Sequence, residues 1–450
     1  MKIRIEQGWI VTMDSEHGVY TNGTVIIDGD RIAYVGPTAN APDIVAERVI
    51  NAEGKMVLPG LINTHVHLSQ QLGRGLGDDV SLLTWLHDRI WPYESAMTYE
   101  DSYISTLLCG IELIRTGVTC FAEAGGQHVD AMAAAIEELG LRGILCCSIM
   151  DEGDGPTSMI KPTDQCIEHQ QNLIDRFHKG VNGRLRVWTS CRTIFNCSDA
   201  LYLQSKELAE RTGVGINAHI AEIPEEIEFA RQTRGNTTIA HLDSLGVLGP
   251  NFLSVHSVWL TDKELDILAK RDVPVSHNPA AAMRVLGFAD IPGMLSRGVL
   301  VGLGTDGAPS NNRMNIISEM YLAGLIHKGR TLNPQVVPAE TVLGMVTNRA
   351  AKALLWDDEI GSLSKGKRAD ITIINPRSAG MLPLHDPVAN LVYAMDTTNV
   401  STVIVDGRIL LEDNVIQTTD EQAVLAEAEV RAKELIERAG IRLPNRFPQA

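Results

Sequence analysis

A few residues in this chain can hold a divalent cation or move a proton, and each closes an apolar, strand-like run. LINTHVH ends in His65-Val66-His67. In an extended chain residues i and i+2 share a face, so both imidazoles can reach one ion; the alternative is a pair of partly exposed loop histidines. GVGINAHIAE carries His219 and Glu222, FLSVHSVWL carries His256, and VLVGLGTDG ends in Asp306-Gly307. Taken singly, His219 or His256 reads as a hydrogen-bonded core histidine, and Asp306 before a glycine as a turn residue. Taken together, three imidazoles and a carboxylate, with a further histidine and a glutamate beside them, form the donor set of an open four-ligand catalytic metal site.

Such a set works only if the fold brings these ends to one mouth. Eight strand-like runs alternate with helical patterns: KMVLPGLINTHVH, GVTCFAEAG, LRGILCCSIMD, LRVWTSCRT, GVGINAHIAE, FLSVHSVWL, DVPVSHNP and VLVGLGTDG. Thr98 and Thr261 are expected N-caps, each followed by an acidic first turn. Eight βα units over about 250 residues predict a (β/α)8 TIM barrel, whose functional groups project from the C-terminal strand ends. An open doubly wound sheet would want an early Gly-rich phosphate loop, and none is found. The first sixty residues and the stretch RADITIINP to VSTVIVDGRILLEDN are rich in β-branched residues punctuated by Asp-Gly and Glu-Gly. Ile26 to Ile32, around Asp28-Gly29, signals a hairpin. The expected division is therefore residues 1–58 and 359–418 as a small β-sandwich, 59–358 as the barrel, and 419–450 as a C-terminal amphipathic helix and tail.

Composition narrows the partners. A formal net charge of -17 argues against nucleic acid, which needs clustered Lys and Arg. The N-terminus lacks a signal-peptide h-region, and no stretch approaches the roughly 18 apolar residues of a membrane span. Seven cysteines, at 109, 120, 146, 147, 166, 191 and 197, show no C-x-x-C spacing. They read as free thiols in a reducing compartment, so a cytoplasmic location without membrane association is expected.

PGLINTHVHL, NAHIAE, VHSVWLTDKEL, SHNPAAAMRVLG and VGLGTDG resemble successive landmarks of the amidohydrolase superfamily. The branch is the one containing methylthioadenosine/S-adenosylhomocysteine deaminases, guanine deaminases and s-triazine hydrolases. IGSLSKGKRADITIIN resembles that family's return to its β-sandwich. The resemblance implies His65 and His67 as the first two metal ligands, His219 as the third and Asp306 as the fourth. It implies Glu222 as the acid/base and His256 as the residue that positions the attacking water, with His277 near the site. Binuclear members bridge two metals with a carboxylated lysine, commonly from strand four; LRVWTSCRT has none, so one divalent metal is expected, Zn2+ on its nitrogen-rich ligands, with Fe2+ as the alternative. A divalent ion brings water's ionisation toward neutrality. Asp306 can then take the water's proton, His256 hold the nucleophile, and Glu222 protonate the ring nitrogen and the departing amine. The expected activity is hydrolytic deamination of an amino-substituted N-heterocycle, by a homo-oligomer as in many relatives.

Two departures bear on the substrate. The adenosine-type deaminases carry a Glu before the Trp of a Trp-Leu pair; here the run is Leu83-Thr84-Trp85-Leu86. Thr cannot supply a carboxylate to two vicinal hydroxyls. After His277-Asn278-Pro279 the usual run continues with Ser-Asn, where this chain has Ala280-Ala281-Ala282-Met283-Arg284 and so lacks two polar side chains. Both shift the expectation from a nucleoside toward the s-triazine group. Trp85 and Thr84, with His277, are the expected substrate-binding residues; Trp91, Phe121 and Trp259 are further candidates for stacking on a flat ring, against ordinary packing. Asp151, Glu152 and Asp154 read as a solvated charge run or a mobile loop. Competing activities are dehalogenation of a chlorinated s-triazine, ring opening of a cyclic amide, and a non-catalytic scaffold.

Overall fold

The computed structural model describes residues 1–16 and 18–443; the end of the expected tail, 444–450, lies outside the described residues. Two five-stranded parallel sheets occupy the middle of the chain. One runs Thr189–Cys191, Ile216–Ile220, Phe252–His256, Val275–His277 and Val301–Leu303. The other runs Asp306–Gly307, Leu61–His67, Val118–Glu123, Arg142–Leu145 and Leu185–Val187. Their residues, Arg186 excepted, are buried, as strands covered by helices on one face and packed together on the other must be. Thr98 and Thr261 each close a capping box at the start of a covering helix, Tyr99–Arg115 and Asp262–Lys270.

A nine-stranded sheet is built from both ends of the chain. Met56–Pro59 pairs antiparallel with Ile371–Ile374, which joins the N-terminal strands to the C-terminal ones. The hairpin expected at Asp28-Gly29 joins Val19–Asp28 to Arg31–Pro37, with Gly29 at φ +66° as a tight turn of this kind needs. Ile3, Ile5, Val25, Ile27, Ile371 and Ile404 form its apolar face. The helix Glu421–Arg438 lies against Tyr93, Met97 and the helix Tyr99–Arg115, burying Ala428 and Leu435. No helix of the described residues is long and apolar enough to cross a membrane.

A buried ion pair ties the parallel sheets to the terminal sheet. Arg142, at the start of its strand, donates from Nε to Asp370 Oδ2 at 2.7 Å and from Nη2 to Asp370 Oδ1 at 3.0 Å and to Asp406. The arginine side chain is fully sealed from solvent. Removing one partner of such a group leaves uncompensated buried charge, which costs about 3–5 kcal/mol. Arg142→Met is therefore expected to lower unfolding stability by that amount in urea titrations. A loss under about 1 kcal/mol would contradict a structural role for the pair.

Candidate metal and proton-transfer site

His65 and His67 project from the end of Leu61–His67, His219 from Ile216–Ile220, His256 from the end of Phe252–His256, and Asp306 from the short strand beside His67. His65 Nε2 and His67 Nε2 each lie 3.6 Å from Asp306 Oδ1, and His67 Nε2 lies 3.3 Å from His219 Nε2. All are buried. His65, His67 and Asp306 form one cluster with the spacing of a metal centre, and His65, His219 and His256 another.

The donor set fits a cation. Burial pushes the pKa values of His67 and His219 well below the ordinary imidazole value, so both rings are neutral. His219 Nδ1 donates to the Arg192 carbonyl at 2.9 Å, which turns its Nε2 lone pair toward His67 Nε2. Both ring nitrogens of His65 and the Nδ1 of His67 are sealed from solvent with no hydrogen-bond partner. Of these, His65 Nε2 lies 3.6 Å from Asp306 Oδ1, and a buried nitrogen so placed is costly unless something accepts its electron pair. For Asp306, burial alone would raise the pKa; the imidazoles facing it, His65 first and then His256 and His67, hold it well below the carboxylate range.

A second unit stands beside the first. His256 Nε2 meets Glu222 Oε1 at 2.9 Å, and the Asn278 side-chain amide meets His256 Nδ1 at 3.0 Å. Burial opposes charge on both partners, but each holds the other ionised: the Glu222 pKa falls and the His256 pKa rises. Glu226 fixes the backbone that carries Glu222. Its carboxylate accepts from the Ala221 N–H at 2.7 Å, the Glu222 N–H at 2.8 Å and the Thr238 hydroxyl at 2.9 Å. That grip answers a local strain, because Ala221 sits at φ +54°. His256, at φ +73°, and Asp306, at φ +65°, share the left-handed conformation. Side-chain-bearing residues pay about 1–3 kcal/mol each for it, and it recurs where a site is over-determined.

The cavity next to these groups is walled by Leu82, Trp85 and Leu86 on one segment and Ala281, Val285 and Leu286 on another. Trp85 lines it, lying so close over Gly77 that a side chain there would strike the indole. Thr84 does not line it; it is exposed, its hydroxyl 3.0 Å from Ser81. His277 is turned away as well, its Nε2 3.1 Å from His327 Nε2. Phe121 is wholly buried, Trp91 lines a separate cleft against His87, and Trp259 is 45% exposed with its indole N–H on the Leu286 carbonyl. Of the acidic run, Asp151 and Glu152 are half-buried and anchored, Asp151 accepting from the Ser198 N–H and hydroxyl and Glu152 pairing with Arg234, while Asp154 is exposed as a solvated charge.

Sequence reasoning missed Arg192, Gln70, Glu226, Asn278 and Glu319. Only Glu226 carried a signal, as an acid four residues past Glu222 at a helix start. Glu319 accepts from the Ala280 N–H and the Asn311 amide, and Asn311 in turn donates to the Thr305 carbonyl beside Asp306. Burial pushes the Glu319 carboxyl up to about 8, against these two hydrogen bonds. A carboxyl raised on folding contributes stability that is complete below its unfolded value of 4.5 and is lost as pH climbs through about 8. Glu319→Gln, neutral throughout, is expected to gain melting temperature relative to the parent between about pH 5 and about pH 8. A difference independent of pH would contradict this.

Comparison with known proteins gives the geometry a context. A model of the amidohydrolase family matches residues 56–410. The 5'-deoxyadenosine deaminase of Methanothermobacter thermautotrophicus is 39% identical over 93% of this chain and 96% of its own. The 5-methylthioadenosine/S-adenosylhomocysteine deaminase of Thermoanaerobacter pseudethanolicus is 36% identical over 97% of this chain and 100% of its own. Among solved structures, an adenosine deaminase from Xanthomonas campestris with bound zinc superposes with a TM-score of 0.92 at 27% identity, covering 97% of this chain and 98% of that one.

Proposed function

From the premise that this chain belongs to the amidohydrolase family, we propose that it deaminates an amino-substituted N-heterocycle at one metal ion, with adenosine-type compounds first among its substrates. It is a hydrolase acting on carbon–nitrogen bonds other than peptide bonds. The observation that carries the reading is the Glu222–His256 pair beside a buried donor set of three histidines and an aspartate, at the wall of an apolar cavity. The relatives' names favour deamination over dehalogenation.

His65, His67, His219 and Asp306 would hold the ion, zinc before iron on three imidazoles and a carboxylate. What such an ion supplies is Lewis acidity, which makes water nucleophilic at neutral pH. Asp306 accepts a proton from the attacking water at its carboxylate oxygen. His256, clamped between Glu222 and Asn278, orients that water toward the ring carbon. Glu222, a carboxylate at rest, takes the other proton of that water and delivers it to the ring nitrogen beside the carbon, then relays the proton held on Asp306 to the departing amino nitrogen, which restores both carboxylates. Leu82, Trp85, Val285 and Leu286 exclude bulk water and pack the flat ring. Water and the amino-heterocycle thus become the oxo-heterocycle and ammonia.

The fold supplies the frame for this reading. We read the two parallel sheets as one (β/α)8 barrel. Trp188 alone separates Leu185–Val187 from Thr189–Cys191, and Gly304-Thr305 alone separate Val301–Leu303 from Asp306–Gly307, so the pairing returns to its start. The terminal strands form the accompanying β-sandwich, with the divisions 1–58, 59–358, 359–418 and 419–450. Seven free, buried cysteines suit a cytoplasmic enzyme, and a homo-oligomer is part of the same reading. The test is ammonia release by the zinc-loaded chain across 5'-deoxyadenosine, methylthioadenosine, S-adenosylhomocysteine, adenosine, guanine, melamine and ammeline. Turnover of the adenosine-type members is the expected result; silence across the panel would overturn the reading.

A further inference from the structure

Beyond the groups that act on water and proton, the polar residues at the cavity wall include Gln70, Arg192, Thr193 and Ser310. Arg192 is the one arginine or lysine among the described residues that line the cavity. It follows the strand Thr189–Cys191, and its carbonyl takes the hydrogen bond from His219 Nδ1, so its backbone is pinned to the metal cluster. Its guanidinium is held from behind: Nη1 donates to Glu94 Oε2 at 2.7 Å and to the Ser148 hydroxyl, and Nη2 to Glu94 Oε1 at 3.3 Å. Glu94 Oε1 also accepts from Gln70 Nε2 at 2.8 Å. The Glu94 side chain has no exposed surface, so its carboxylate is used up inside the wall.

A guanidinium has five N–H donors. Two from Nη1 and one from Nη2 are engaged, leaving Nε–H and one Nη2–H. Among the described residues Nε has no hydrogen-bond partner, and the side chain, 7% exposed, lines the cavity. A planar donor fork braced on three sides is pre-organised, and an unused donor on a nearly buried cation is costly until an acceptor meets it. The Glu94 charge cancels that of Arg192, so the fork suits a neutral acceptor rather than an anion.

We infer that Arg192 is a substrate-binding residue that donates to an acceptor atom of the heterocycle, a ring nitrogen or an oxo group, away from the carbon under attack. Glu94 is its positioning residue and does not touch substrate. The inference rests on the deaminase reading for the identity of the ring. In an adenosine-type ring whose amidine end faces Glu222, the acceptors left for Arg192 are the ring nitrogens at positions 3 and 7. A pocket of this kind selects rings by what that edge carries, and a ring with C–H there leaves the fork unmet.

The test is calorimetric binding to the full zinc-loaded chain in a Glu222→Gln background, so that turnover does not enter. The probes are adenosine, 3-deazaadenosine and 7-deazaadenosine. One deaza compound is expected to bind about 10- to 100-fold more weakly than adenosine, the worth of one charge-assisted hydrogen bond. The paired substitution Arg192→Met with Glu94→Gln removes both buried charges together. It is expected to weaken adenosine by the same factor and to abolish the deaza penalty. If that variant fails to fold, Arg192→Lys keeps the charge pair, loses the fork, and is expected to shrink the penalty. A penalty that survives in the variants, equal binding of all three probes by the parent, or no binding of any would overturn the inference. Ammonia release by the wild-type chain judges the deaminase reading separately, and either claim can fail while the other stands.

Discussion

Glu222→Gln is expected to lower kcat by about 10²- to 10⁴-fold, the range for a positioned acid/base, while leaving metal content and folding nearly unchanged. Glutamine is isosteric and can still accept the hydrogen bond that His256 Nε2 offers at 2.9 Å. The backbone is secured independently, because Glu226 grips the Ala221 and Glu222 N–H groups whatever side chain position 222 carries. What the amide cannot do is hand a proton to a ring nitrogen and then to a leaving amine. The loss should appear in kcat at saturating substrate more than in KM, since the missing interaction belongs to the transition state. A variant retaining more than about half the parent kcat would remove Glu222 from proton transfer and leave it as a mere partner of His256.

Removal of the cation is expected to cost at least as much. Chelation, or His219→Ala, should lower activity by at least about 10³-fold, because water then keeps its ordinary acidity and the attack loses its nucleophile. Stability should fall too. An ion bound only by the folded chain at about 1,000 times its Kd adds about 4 kcal/mol, so chelation should lower the melting temperature and added zinc restore it. His219 is the sharper choice, since its Nδ1 is committed to the Arg192 carbonyl and only Nε2 serves the cluster. Full activity and stoichiometric metal in His219→Ala would contradict the ligand assignment.

The parts of this site legible in the sequence were those with a short-range signature. His65-Val66-His67 and Asp306 before Gly307 could be read because strand periodicity and turn chemistry are local, and the caps at Thr98 and Thr261 emerged for the same reason. The supports were hidden because their meaning is made by distant pairing. Arg192 meets Glu94 across 98 positions, and Glu319 reaches the Asp306 neighbourhood only through Asn311. Nothing in Ala221 or His256 announces a left-handed backbone, since both bear side chains that disfavour it. Thr84 misled in a specific way. In the sequence its side chain argues against a sugar, yet it faces solvent, so it says nothing about what the cavity holds. Ala281, by contrast, does line the cavity, and its small side chain is part of the pocket's shape.

The most direct measurement is the fate of solvent oxygen when the zinc-loaded chain acts on adenosine and 5'-deoxyadenosine in oxygen-18 water. The account predicts one ammonia per turnover, an oxo product carrying one labelled oxygen in place of the amino group, and an intact ring and sugar. An unlabelled product, an opened ring, or ammonia formation that persists after both chelation and Glu222→Gln would contradict it.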